Sequence, residues 1–109
     1  MKWFKIYPQQ IFQSEDFIRT VQVDGKKLCI IKTEGEFYAV QNKCPHAGAD
    51  LNNGWCAAGK LVCPYHRHEF DLKTGRGAEG QGNYIDTYSL ELREDGLYIG
   101  IPKPWWKFW

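Results

Sequence analysis

Two short segments, Cys44-Pro45-His46 and Cys63-Pro64-Tyr65-His66, constrain this chain more than anything else in it. Together they read C-x-H-x16-C-x2-H, so each segment offers one soft thiolate and one borderline imidazole to a metal. The proline after each cysteine fixes φ and removes a backbone N–H, which stops a helix or a central strand from running through. Both pairs therefore belong on turns, and the fold must bring two turns distant in sequence to face each other.

A thiolate pair and an imidazole pair suit a two-iron, two-sulfide cluster in which one iron takes both sulfurs and the other both nitrogens. Zinc also accepts two cysteines and two histidines. Its common sites, however, pair Cys with Cys and His with His along the chain, whereas each loop here contributes one of each. Ala47-Gly48-Ala49 keeps bulk low beside the first pair and is predicted to leave backbone N–H groups available to cluster sulfurs.

The chain has four cysteines, so two fall outside these segments. Cys29 lies in the apolar run Leu28-Cys29-Ile30-Ile31 and reads as a buried free thiol. Cys56, after Trp55, reads as a free or partly buried thiol. An all-cysteine ligand set of Cys29, Cys44, Cys56 and Cys63 remains as the alternative, and it leaves both histidines unexplained.

Short strands joined by tight turns are predicted nearly throughout. Asp24-Gly25 between Phe17–Val23 and Lys26–Thr33 is a type I′ hairpin signal, and Glu34-Gly35 turns the chain into Glu36–Gln41. Leu61–Val62 and His68–Leu72 bracket the second cysteine turn, which Thr74-Gly75 closes, and Glu94-Asp95-Gly96 joins Tyr84–Arg93 to Leu97–Ile101. Ser14-Glu15-Asp16 suits a single helical turn. No amphipathic helix is evident, so the expected class is all-β, an antiparallel β-sandwich or barrel.

At 109 residues the chain can bury one core, and no low-complexity linker divides it, so residues 1–109 are expected to form a single domain. The formal net charge of +1 offers no basic stripe for nucleic acid. A mean hydropathy of −0.53 without a long apolar run gives no membrane span. The opening Met1–Gln10 is too poor in apolar residues for a signal peptide, and a cytoplasmic location is expected. No nucleophile–base pair or phosphate-cradling loop is present, so no catalytic residue is expected.

The boxes Asn42-Lys43-Cys44-Pro45-His46-Ala47-Gly48-Ala49-Asp50-Leu51 and Cys63-Pro64-Tyr65-His66-Arg67-His68-Glu69-Phe70-Asp71-Leu72-Lys73-Thr74-Gly75 resemble the two ligand boxes of the bacterial soluble Rieske-type ferredoxins. The resemblance runs from about Phe17 to Ile101. It implies a Rieske-like β-sandwich with a small cluster-binding lobe, about residues 42–75, formed by two ligand loops. It also implies one Rieske-type [2Fe-2S] cluster per chain, held by Cys44, His46, Cys63 and His66, with electrons passing through the two histidines. The function implied is one-electron relay from a flavin or NAD(P)H reductase to a terminal oxygenase. The alternatives are a small redox subunit like that of nitrite reductase and a structural metal-binding module that moves no electrons. An oxygenase would need a further mononuclear iron site, and three histidines are too few for both.

Several positions depart from the family pattern. Ala49 and Tyr65 stand where respiratory Rieske subunits carry a disulfide, and Arg67 and His68 stand where those subunits place a serine. Fewer hydrogen bonds to sulfur imply the low end of the Rieske range, about −150 mV. Gly75–Gly82 is rich in glycine where ferredoxins often have a proline-containing cover. Arg67 suits either contact with an acidic partner or plain solvation, and His68 reads as an exposed strand residue. In the tail, residues 102–109, Trp105, Trp106, Phe108 and Trp109 interleave with lysines. They suit packing against Trp3 and Phe4, or contact with a partner or a membrane surface.

Overall fold

The computed structural model describes residues 1–45, 48–64, 67–77 and 84–102. Nine strands are described: β1 Lys2–Pro8, β2 Phe17–Val23, β3 Lys26–Thr33, β4 Glu36–Gln41, β5 Trp55–Ala57, β6 Lys60–Val62, β7 Glu69–Asp71, β8 Thr87–Arg93 and β9 Gly96–Ile101. All strand pairings among the described residues are antiparallel. Six strands form one sheet in the order β1-β9-β8-β4-β3-β2, and β5-β6-β7 form a second, smaller one. The all-β antiparallel expectation is met.

The hairpin signals act through backbone sign. Asp24 and Gly25 have φ of 50° and 78°, and Glu34 and Gly35 have 52° and 78°, so both turns use two left-handed residues in succession. That is the type I′ geometry whose twist matches the flanking strands. Ala58-Gly59 does the same between β5 and β6, with φ of 52° and 78°.

Alternation along β3 sorts its residues between two cores. Cys29 and Ile31 join Val40, Cys44, Leu51, Leu61, Cys63, Phe70, Leu72 and Ile85. Leu28 and Ile30 join Ile11, Val23, Ala39, Leu97, Ile99 and Ile101 on the other face. A strand buried on both sides reads as a continuous apolar run, which Leu28–Ile31 is. The same parity carries Lys32 to the aromatic side, where its ammonium donates to the carbonyls of Phe12 (3.1 Å) and Ser14 (2.5 Å) and lies 5.4 Å from the Phe37 ring centre. A buried lysine is tolerable because those acceptors replace water.

Three local expectations need correction. The helical turn lies over Gln9–Gln13 as a 3-10 helix, and Ser14–Asp16 is extended. Ser14 instead terminates that helix, its hydroxyl donating to the Ile11 carbonyl at 2.7 Å. The strand expected over Tyr84–Arg93 begins at Thr87, while Tyr84 makes an isolated bridge to Arg76. Strand β1, which the sequence did not suggest, pairs with β9 from Lys2↔Ile101 to Pro8↔Gly96 and closes that side of the sheet.

Candidate functional site

Two turns built to one plan carry Cys44 and Cys63. In the first, Lys43 bridges Asp50, the Cys44 N–H donates to the Ala49 carbonyl at 2.8 Å, and Gly48 has φ of 67°. In the second, Val62 pairs with Glu69, the Cys63 N–H donates to the His68 carbonyl at 2.8 Å, and Arg67 has φ of 52°. Each loop thus closes on the residue five after its cysteine, with a left-handed residue just before the closure. Glycine fits that corner without cost, whereas an arginine there pays the steric penalty of a Cβ in left-handed backbone.

The first loop is fastened on both sides. The Lys43 ammonium meets Asp50 Oδ1 at 2.7 Å outside, and inside, the Leu51 N–H donates to the Asn42 carbonyl at 2.6 Å. The Asn52 N–H donates to Asn42 Oδ1 at 3.2 Å. The Gly48 N–H closes the turn on the Cys44 carbonyl at 2.8 Å, so it is not among the groups left available for sulfur, a correction to the sequence expectation.

The second loop sits on the β6–β7 hairpin, whose far end is fixed by Asp71. Its Oδ1 accepts the N–H groups of Lys73 (2.8 Å) and Thr74 (3.0 Å), and these bonds hold its carboxyl below the ordinary carboxylate value. Gly75 follows with φ of 78°, and a Cβ there would collide with the Ile85 carbonyl oxygen. The glycine-rich stretch thus begins where side chains cannot fit. Residues 78–83 lie outside the described residues.

These turns bring both thiols into one apolar core. Cys44 is 1% exposed and Cys63 fully buried, packed with Leu51, Leu61, Phe70, Leu72 and Ile85. His46 and His66 lie outside the described residues, as do Tyr65 and the tail aromatics Trp105, Trp106, Phe108 and Trp109. None of the four cysteines forms a disulfide, and Cys56 is partly buried. Cys29 is fully buried, and burial, with Cys56 nearby, pushes its thiol up to about 12. Burial also raises Cys56. Among the described residues no three Cys, His, Asp or Glu side chains gather closely enough to hold a single metal ion. His68 is half-buried and precedes β7, so the expected exposed strand histidine is corrected.

The donor set fits an iron–sulfur cluster. Two soft thiols that would hold iron are kept out of water on matched turns, and a buried side-chain donor, Asn42 Nδ2, has no partner among the described residues. When bound, such a cluster supplies reversible acceptance of one electron. The protein fixes the sulfur positions and keeps solvent away from them.

An antiparallel base with two cysteine-led turns that bury their thiols in one core defines a small β-domain with a candidate metal centre. The family model described as Rieske [2Fe-2S] domain matches residues 2–88. The chain belongs to that family, and its cofactor is a Rieske-type [2Fe-2S] cluster. The ferredoxin component of the naphthalene 1,2-dioxygenase system of Pseudomonas aeruginosa is 41% identical over 82 residues, covering 74% of this chain and 79% of that protein. Apoptosis-inducing factor 3 of Homo sapiens is 30% identical over 87 residues, 79% of this chain but 14% of that relative's length. A solved complex of reduced oxygenase and oxidized ferredoxin in carbazole 1,9a-dioxygenase superposes with a TM-score of 0.76 at 26% identity, covering 89% of this chain and 91% of the matched one. No helix among the described residues is long and apolar enough to cross a membrane.

Sequence reading did not single out Asn42, whose buried, unpartnered amide becomes visible only in the structure. The available signal was its position two residues before Cys44.

Proposed function

We propose that this chain is a one-electron carrier that takes electrons from a flavin or NAD(P)H reductase and delivers them to a terminal oxygenase. In this reading Cys44 and Cys63 hold one iron and His46 and His66 the other, and residues 1–109 form one cytoplasmic domain with its cluster lobe at about 42–75. The observation that carries it is the burial of Cys44 and Cys63, on two matched turns, in one core. Similarity to a dioxygenase ferredoxin component and to a chain of an oxygenase–ferredoxin complex supports the choice of partners. The tail aromatics Trp105, Trp106, Phe108 and Trp109 are a proposed contact for a partner or membrane surface.

The test is reconstitution with NADH, a flavoprotein reductase and a naphthalene-type oxygenase. Product formation that requires this chain, and is lost with Cys63→Ser, is expected. A reversibly reducible cluster that supports no oxygenase turnover, while passing electrons to a different acceptor, contradicts the choice of partner.

A further inference from the structure

Asn42 is the one polar side chain among the described residues on the inner face of the first ligand loop. The bridge Lys43↔Asp50 fixes the parity of that short ladder. Lys43 and Asp50 point outward and pair with each other, so Asn42, Cys44, Ala49 and Leu51 point inward. Burial agrees, with Asn42 2%, Cys44 1% and Leu51 0% exposed, and Ala49 packed against the same core. Asn42 thus shares the inner face with Cys44, two residues away along the chain.

The Asn42 amide is half satisfied. Its Oδ1 accepts the Asn52 N–H at 3.2 Å, which orients the group, but its buried Nδ2 has no acceptor among the described residues. Asn52 Oδ1 is also buried without a partner, so the two amides do not satisfy each other. Leaving a buried N–H donor unpaired costs about 1–3 kcal/mol. A leucine at this position would avoid that penalty, so the donor calls for an acceptor that the described residues do not supply.

We infer that Asn42 Nδ2 donates a hydrogen bond to sulfur of the cluster assembled on Cys44 and Cys63, acting as a positioning residue that raises the cluster's electron affinity. This rests on the cysteine ligation proposed above. Reduction adds negative charge that spreads onto sulfur, so a fixed N–H donor stabilises the reduced form more than the oxidised one. Asn42 would thereby supply in part what the absent serine after His66 does not.

The test is pulsed EPR on the reduced, cluster-loaded protein carrying 15N-labelled asparagine, with film voltammetry of wild type and Asn42→Leu. A weak 15N coupling from an asparagine side chain in wild type is expected, absent from the variant. The variant is expected to bind an electron about tenfold more weakly, a fall of about 59 mV. A wild-type spectrum without asparagine coupling overturns the inference while leaving the cluster reading intact, and remains decisive where the variant does not assemble. An unchanged potential in a loaded Asn42→Leu protein overturns it as well. A wild-type protein with no reducible cluster overturns both.

Discussion

The two cores share a wall and differ in what they contain. The one bounded by β1, β8 and β9 is aliphatic, lined by Ile30, Leu97 and Ile99, and edged by the rings of Phe12, Phe17 and Phe37. The other holds Cys29, Cys44 and Cys63 among its leucines and isoleucines, and its far wall is made of turns and strands of three residues each. The first core is closed by long ladders, the second by two loops whose inward groups include cysteines and an asparagine. One core stabilises the fold chiefly through apolar burial, with the Lys32 ammonium satisfied at its edge, and the other gives part of its interior to thiols and an amide.

Removing one of the buried thiols is the sharpest way to separate the two. Cys63→Ser is expected to abolish the cluster, with iron and visible absorbance falling to background, while the far-UV signature of the six-stranded sheet persists. Loss of that sheet together with the iron would mean that the two cores fold as one unit.

The reverse experiment empties the aliphatic side. Ile30→Ala removes a fully buried side chain and is expected to cost about 2–5 kcal/mol in denaturant unfolding. Iron per folded chain should be unchanged, because Ile30 faces away from the cysteines.

A smaller change sharpens the comparison between the two ligand loops. Gly48 and Arg67 occupy equivalent corners with positive φ, and only glycine does so freely. Arg67→Gly is expected to stabilise the second loop by about 0.5–1 kcal/mol, read as a higher midpoint or slower loss of the cluster to a chelator. Destabilisation would show that the Arg67 side chain contributes more than its backbone costs.

The smallest effect concerns acid. Asp71 has its folded value held below the ordinary 3.8 by the Thr74 and Lys73 N–H groups. Its stabilisation is therefore complete above that ordinary value and fades as pH falls through the lowered one. Unfolding scans at pH 5 and pH 3 should show wild type losing more stability than Asp71→Asn across that interval. Equal losses would remove Asp71 from the acid sensitivity of the lobe.

Local chemistry made much of this legible in the sequence. Asp24-Gly25 and Glu34-Gly35 announce their turns because residue type and backbone sign are coupled at adjacent positions. The Cys-Pro pairs likewise announce two turns. What stayed hidden depends on distant partners or weak punctuation. Strand β1 exists because Lys2–Pro8 meets β9 at the other end of the chain. Ala58-Gly59 lacks the Asn or Asp that marks such a turn. Ser14 looked like a helix start and is a helix end, since its hydroxyl satisfies a carbonyl three residues back. The matched closure of the two loops, five residues after each cysteine, was unreadable because it needs the ladder register of both.

EPR of anaerobically prepared protein after dithionite reduction, with iron, sulfide and zinc analysis of the same sample, tests the central claim most directly. A rhombic signal with an average g below 2, and about two irons per chain, is the result predicted for a cluster ligated by two sulfurs and two imidazoles. Stoichiometric zinc with no reducible signal would contradict it and leave the two cysteine turns as a structural metal clasp.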